Sequence, residues 1–261
     1  MPGRKIRADI LVHERGLAES RSKAQALILA GEVVAGEHRV DKPGQLLDAA
    51  IEVRLKGAAP GTQEAAALRY VSRGALKLTH ALDHFSLSPQ GLVCCDLGAS
   101  TGGFTDVLLQ RGAVRVYAVD VGYGQLHQKL RSDPRVVVHE RVNARALSRA
   151  DLGESVSCAV ADLSFISLKL VLPALISLLA SSEVARAFCV VLVKPQFEAG
   201  RAEVGKGGVV RDPAVHARVV ADICAEMERL GLEVLGSTES PLVGPAGNHE
   251  FLVAARLRPA S

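Results

Sequence analysis

Tryptophan is absent from this chain, and phenylalanine and tyrosine together supply only 3% of its 261 residues. None of them precedes Tyr70. A nucleic-acid-binding unit at the amino end would have no base-stacking platform, which excludes RRM-type and OB-type recognition there. Cysteine is sparse as well. Its five residues, Cys94, Cys95, Cys158, Cys189 and Cys224, sit mostly inside apolar runs and form no CxxC pair. An odd number of thiols so placed argues for reduced, packed cysteines in a cytoplasmic protein. Metal-ligand clusters are lacking too: His80 and His84 are helix neighbours without further ligands, so no metal is expected. The longest apolar stretches, 170–180 and 187–193, fall well short of the ~20 residues of a membrane span. No basic-then-apolar leader opens the chain, and no membrane association is expected. A large excess of charge is missing, the formal net charge being +3. A polyanionic partner must therefore be argued from where the charges lie.

They gather at the start. Arg4, Lys5, Arg7, Arg15, Arg21 and Lys23 face only Asp9, Glu14 and Glu19 within the first 31 residues. If such a surface binds nucleic acid, then without aromatics it would have to recognise folded RNA by shape and phosphates. The pattern predicts a short helix over 6–16, with Ile6, Ile10 and Leu11 inward and Gly16 as its stop. A second helix follows, capped by Ser20 and striped by Ala24, Leu27 and Ile28, with Gly31 at its end. Short strands at Val33-Val34-Ala35, Arg39-Val40 and Ile51 to Leu55 complete a small α+β unit over 1–60, with little core and much surface. A stretch poor in bulky residues and carrying Gly57, Pro60 and Gly61 spans 56–69, so a linker is expected at 61–70 and a second domain over 71–261.

In that second part strands and helices alternate. Strands are predicted at 92–97, 114–120, 135–139, 156–161, 187–193, 232–238 and 250–257. Helices are predicted from a Ser72 cap to Phe85 and at 102–111, 123–132, 166–180 and 213–230. This α/β alternation implies a mainly parallel, Rossmann-like sheet with helices on both faces, whose ligands bind beyond the carboxyl ends of the strands. Gly200 to Asp212, rich in glycine, reads as the mobile loop.

The stretch Asp96-Leu97-Gly98-Ala99-Ser100-Thr101-Gly102-Gly103-Phe104 lies between a strand and a helix, where backbone amides can approach a nucleotide-like ligand. Its Gly-x-x-x-Gly-Gly spacing is not that of dinucleotide binders, and no Gly-Lys-Ser/Thr follows. Asp120 closes the next apolar run about 20 residues on, where a carboxylate holds ribose hydroxyls. An adenosine-containing cofactor is the better reading of the pair; a plain turn is the alternative for the loop alone. Lys77 stands on the entering helix, Asp162 and Lys194 each end an apolar run, and Glu250 opens the last strand. Charged strand ends are commonly just solvated, but two of these close strands at the ligand edge.

Longer motifs go further. Arg7-x-Asp9-x-Leu11-Val12, the run from Ser20 to Gly31, and Val40-x-Lys42-Pro43-Gly44 resemble an S4 RNA-binding domain. The second part is similar to the FtsJ-like group of S-adenosylmethionine-dependent RNA 2′-O-methyltransferases, whose Lys-Asp-Lys-Glu set matches Lys77, Asp162, Lys194 and Glu250. Val71 to Leu78, Gly98 to Thr105, Asp120 to Leu126, Ala161 to Leu168 and Val193 to Glu198 together resemble the TlyA family, over essentially the whole chain. That resemblance implies S-adenosylmethionine as cofactor, ribosomal RNA or a ribosomal subunit as partner, and 2′-O-methylation of cytidine ribose. It implies cofactor contacts from Gly98, Ala99, Ser100, Thr101, Gly102, Gly103, Phe104, Asp120, Val121, Asn143, Ala144 and Asp162, although Asn143 also reads as a turn residue. It implies RNA contacts from Arg4, Lys5, Arg7, Arg21, Lys23 and Arg73. Lys194 would act on the ribose hydroxyl when neutral, a state that a second ammonium nearby and partial burial favour. Some members carry a C-terminal extension that this sequence lacks after Glu250, which leaves open whether one or both ribosomal subunits are modified. Two other classes stand beside this reading: a nucleotide-dependent oxidoreductase on a similar sheet, and an RNA-binding, haemolysin-like protein without catalysis.

Overall fold

The computed structural model describes residues 4–15, 17–18, 20–55, 69–179, 187–244 and 246–258. The chain divides into two compact units, Met1–Arg73 and Gly74–Ser261.

In the first unit, β1 (Lys5–Arg7), α1 (Ala8–Glu14) and α2 (Arg21–Leu29) are followed by β2 (Val33–Ala35), β3 (His38–Arg39), β4 (Leu46–Asp48) and β5 (Val53–Leu55). The helix expected over 6–16 starts only at Ala8, because Lys5–Arg7 is taken into an antiparallel pair with β4, a strand the sequence did not show. Gly16 lies outside the described residues, as does the expected linker apart from Arg69 and Tyr70. The cap at Ser20 is real: its side chain accepts the Lys23 N–H at 3.2 Å. Leu11, Val12, Ala24, Ile28 and Val33 close the small core beneath a three-stranded sheet of order β3-β2-β5.

The polar centre of this unit is Asp9, whose side chain is fully covered. It accepts hydrogen bonds from Arg7 Nε (3.0 Å), Arg21 Nε (2.9 Å) and Gln25 Nε2 (2.8 Å). The Arg7 hydrogen bond is the main cause that holds this carboxyl well below the usual carboxylate range, while burial opposes it. Both arginines keep about half of their side chains in solvent (43% and 51%), so one buried anion fixes two outward cations.

The second unit holds α3 (Ala75–His84), β6 (Val93–Leu97), α4 (Gly103–Gln110), β7 (Arg115–Asp120), α5 (Gln128–Arg131), β8 (Val136–Glu140) and α6 (Arg149–Leu152). It continues with β9 (Cys158–Ala161), α7 (Leu172–Leu178), β10 (Phe188–Val193), α8 (Pro195–Glu198), α9 (Pro213–Arg229), β11 (Leu232–Glu239) and β12 (Phe251–Leu257). These strands form one seven-stranded sheet, order β11-β12-β10-β9-β6-β7-β8. Only β12 runs against its neighbours. Parallel strands buried on both faces read as continuous apolar runs, and Phe188–Val193 is buried throughout. Cys95, Leu97, Ala159 and Val191 pack with α7 and α9. The alternate residues Cys94, Val116, Val160 and Leu192 are equally buried, and α4 contacts β6 and β7 while α3 contacts α4 and β12. Cys94, Cys95, Cys158 and Cys189 are free thiols with no exposed surface. Burial pushes Cys189 up to about 12, and Cys95 and Cys158 well above the ordinary thiol value.

Three helix boundaries differ from expectation. Ser72 does not cap α3; Gly74 occupies the N-cap position without a side-chain bond, and the helix begins at Ala75. The helix expected at 123–132 shrinks to Gln128–Arg131, since Gly122 and Gly124 keep the chain in turns before it. The helix expected at 166–180 is a 3₁₀ turn at Leu168–Leu170 followed by α7.

Asp9 yields a test. Its folded value lies below its unfolded one, so its contribution is complete above about pH 4 and is lost as pH falls through the folded value. Asp9→Asn should raise amide exchange in α1 and α2 about tenfold or more at pH 7, the effect of one hydrogen bond to a charged group. Exchange in the seven-stranded sheet should not change, and the difference from wild type should shrink below about pH 4. Equal exchange at pH 7 would remove Asp9 as the anchor.

Candidate active site

Three neighbouring strands, β12, β10 and β9, deliver charged residues to one edge of the sheet. Asp162 follows β9 directly, and its N–H donates to the Leu97 carbonyl at 3.1 Å, which fixes where the chain leaves the sheet. Lys194 follows β10, with Pro195 opening α8 behind it. Glu250 precedes β12, and its carbonyl accepts the Ser240 N–H at 2.8 Å. Since Val193 pairs with Phe251, continuing that register sets Glu250 opposite Lys194. Lys77 comes from the first turn of α3.

Their side chains meet in a line. Lys77 Nζ donates to Glu250 Oε2 at 2.6 Å and lies 3.6 Å from Asp162 Oδ2. Lys194 Nζ lies 2.6 Å from Asp162 Oδ1 and donates to Ser164 Oγ at 2.9 Å. Two ammoniums alternate with two carboxylates, so the formal charge sums to zero in a place where little water reaches. Side-chain exposure is 3% for Glu250, 10% for Lys194, 12% for Lys77 and 23% for Asp162. The opening of the cluster is thus on the Asp162 side. All four residues singled out in the sequence come together.

The glycine-rich loop abuts this line. Gly98 has φ +85°, and a Cβ there would stand 2.5 Å from the Asp162 carbonyl oxygen. Gly102 has φ +96°, and a Cβ would strike Leu130 at 2.2 Å. Close backbone calls for glycine at Gly98, and the left-handed φ with packed leucine side chains calls for it at Gly102. Ser100 and Thr101 face solvent, whereas Ala99, Gly102 and Gly103 are buried and Phe104 packs in the core from α4. Asp120 clamps the two loops: its Oδ2 accepts the Ser100 N–H at 2.8 Å and its Oδ1 the Gly122 N–H at 2.7 Å. Val121, next to it, is 70% exposed, an apolar surface at the strand end. Asn143 is exposed, and its side chain accepts the Arg145 N–H at 3.1 Å, opening a short turn that holds the buried Ala144. In this structure Asn143 does serve as a turn residue.

Two features escaped the sequence reading. Asp96 is fully buried; Thr105 Oγ1 donates to its Oδ2 at 2.7 Å, but its Oδ1 has no partner. Burial first, then the charges of Asp162 and Asp120, push its carboxyl up to about 7 against the Thr105 bond. The signal was an acid inside an apolar strand. Phe165 has φ +64° and is 91% exposed, with its ring 5.2 Å from that of Phe197. A left-handed aromatic residue costs on the order of 1–2 kcal/mol, and no composition or period announces it.

The cofactor fit can be judged from these residues. An orphaned buried acid, outward loop residues, a clamped strand-end carboxylate and an exposed valine suit a ligand with a cationic, a ribose and an apolar part. His80 and His84 stack on each other, and His80 meets the Thr238 hydroxyl at 3.0 Å. The RNA-contact candidates Arg4, Lys5, Arg7, Arg21, Lys23 and Arg73 are all exposed and all lie in the first unit. No helix among the described residues is long and apolar enough to cross a membrane.

Comparison with known proteins agrees with the geometry. A family profile described as FtsJ-like methyltransferase matches residues 70–257, and an S4 domain profile matches residues 6–50. A relative from Mycobacterium tuberculosis, the 16S/23S rRNA (cytidine-2′-O)-methyltransferase TlyA, is 47% identical over 97% of this chain and 90% of its own. Hemolysin A of Brachyspira hyodysenteriae is 40% identical over 95% of this chain and 98% of its own. A solved structure of a hemolysin-named protein from Streptococcus thermophilus covers 98% of this chain and 90% of its own, with 44% identity and a TM-score of 0.72. With an S4 domain in front and the FtsJ-like sheet behind, this chain is an enzyme of the TlyA family of FtsJ-like methyltransferases.

Proposed function

We propose that the protein transfers a methyl group from S-adenosylmethionine to the ribose 2′-hydroxyl of cytidine in ribosomal RNA, in the cytoplasm. The observation that carries the reading is the line Glu250–Lys77–Asp162–Lys194 set directly against the Gly98 loop. The substrate class is that of the Mycobacterium tuberculosis relative. S-adenosylmethionine supplies an electrophilic methyl on a cationic sulfur. Asp120 would hold its ribose hydroxyls, Val121 and Ala144 would lie against its adenine with Asn143 at the edge, and the loop from Gly98 to Gly103 would surround its amino-acid part. Phe104 would support that loop from the core.

A ribose hydroxyl is too weak an acid to ionise at neutral pH, so its proton must leave as the new O–C bond forms. Lys194 accepts that proton on Nζ after first giving up to solvent the proton it holds as the ammonium beside Asp162. The ammonium so created already has Asp162 Oδ1 at 2.6 Å and Ser164 Oγ at 2.9 Å to receive it. Lys77 has its own carboxylate in Glu250, which leaves Oδ1 of Asp162 to Lys194. Everything else is orientation, and near-contact geometry is what such a site contributes. Phe165, exposed one residue beyond Ser164, offers a ring on which the target base can stack. In the first unit, Arg7 and Arg21 are held outward by Asp9, and with Arg4, Lys5, Lys23 and Arg73 they meet RNA phosphates.

Three outcomes test the reading. Asp120→Ala should weaken S-adenosylmethionine binding by roughly 1.5–3 kcal/mol, the range for hydrogen bonds to a charged group. Unchanged affinity by calorimetry would take Asp120 out of the cofactor site. Removal of residues 1–60 should leave cofactor binding intact and abolish most methylation of ribosomal RNA; full activity would make the amino-terminal unit dispensable. Lys194→Ala should slow transfer by about 10² or more with cofactor affinity nearly unchanged. Lys194→Arg should not restore it, because a guanidinium keeps its proton in this range. Near-normal turnover by the arginine variant would replace proton transfer with fixed positive charge.

A further inference from the structure

The segment 200–212, between α8 and α9, has no part in the chemistry above, and its glycines mark it in the sequence as mobile. The structure ties it down instead. Asn248, 3% exposed, accepts the Val210 N–H on Oδ1 and donates from Nδ2 to the Gly208 carbonyl, each at 3.0 Å. The His216 Nε2 lies 2.9 Å from the Val210 carbonyl, and Val209 and Val210 are buried. Gly205 N–H closes the tip onto the Val209 carbonyl at 3.0 Å. Lys206 and Arg211 nevertheless point their charges into solvent.

The carboxylates of the segment are occupied elsewhere. Glu203 accepts from Arg218 at 2.6 Å and from the Gly200 N–H at 2.9 Å, while Asp212 caps α9 through the Ala214 N–H at 2.8 Å. Among the described residues, Lys206 and Arg211 have no carboxylate partner. Two unneutralised cations thus stand on a fixed backbone. A flexible basic loop loses ordering entropy on binding; one held beforehand does not. Position adds the second argument. Asn248 is two residues from Glu250, and its carbonyl accepts the Gly244 N–H at 2.8 Å. A Cβ on Gly244 would lie 3.1 Å from Glu250 Oε1. The segment and the reacting groups therefore share one support at one edge of the sheet.

We propose, on the reading of the protein as an RNA methyltransferase, that Lys206 and Arg211 form an RNA-phosphate contact surface on the methyltransferase unit. It takes phosphates flanking the modified nucleotide, and Asn248 is the positioning residue that keeps it in register with Glu250.

The test uses the full chain and ribosomal RNA. Lys206→Ala/Arg211→Ala should raise KM for RNA roughly tenfold and lower the slope of log affinity against log salt by about 1.5, with kcat and cofactor affinity unchanged. Asn248→Ala should reproduce the rise in KM with both cations present, and its kcat should also fall because Glu250 shares the support. Arg256→Ala/Arg258→Ala, the same charge change at the far end of β12, should behave as wild type. Wild-type KM and slope in the Lys206/Arg211 variant, or an equal loss in the Arg256/Arg258 variant, would overturn the surface. RNA retention on filters is read without methyl transfer. A wild-type chain that retains RNA with the full slope but methylates no 2′-hydroxyl would overturn the proposed activity and leave this surface standing.

Discussion

The arrangement depends on Asp162, whose two oxygens lie toward two different ammoniums. Each lysine reaches the cluster from a separate element, and without the carboxylate two like charges would face each other with little water between them. Removing one member of such a set leaves the others buried and uncompensated, which is generally costlier than never having had them. The strand order is what permits it. A residue preceding a strand reaches the carboxyl edge of its neighbours only when that strand runs antiparallel. Because β12 alone is reversed, Glu250 arrives at the same edge as Asp162 and Lys194. A sheet with β12 parallel would deliver Glu250 to the opposite side.

Much of this was open to inspection in the sequence, for a physical reason. Buried parallel strands must be apolar on both faces, so Phe188–Val193 and Cys158–Ala161 announce themselves, and a charged residue directly after such a run marks the ligand edge. Lys194 and Asp162 were found that way. The signal fails where an element exists only through its partner. Lys5–Arg7 and Leu46–Asp48 are three residues each, with a single buried residue apiece, Ile6 and Leu47, and neither would be extended without the other. It fails again where conformation rather than composition matters: nothing in the letters around Phe165 states that its backbone is left-handed. Ser72 was a plausible cap because caps are recognised by residue type, but Gly74 lets the chain turn into α3 without one.

Charge in this protein is arranged by what lies beneath it. Arg7 and Arg21 are aimed outward by one covered aspartate, and Lys206 and Arg211 rest on a backbone held by one covered asparagine. Both of these covered side chains are hydrogen-bonded to the surface that they organise, so specificity of direction is gained without leaving Asp9 or Asn248 unpaired. A net charge of +3 conceals this, since surplus counts nothing about placement.

The buried thiols have a use that their chemistry in the folded state conceals. Cys94 and Cys158 face each other across β6 and β9, with Cys95 beside them and Cys189 on the next strand. All four are covered, and burial also holds Cys95, Cys158 and Cys189 protonated, so they are inert to alkylating reagents for as long as the sheet is closed. Any reaction at these positions must therefore wait for the middle of the sheet to open. The central strands carry their own clock: the rate at which these sulfurs are labelled is a direct reading of how often the platform beneath the glycine-rich loop comes apart.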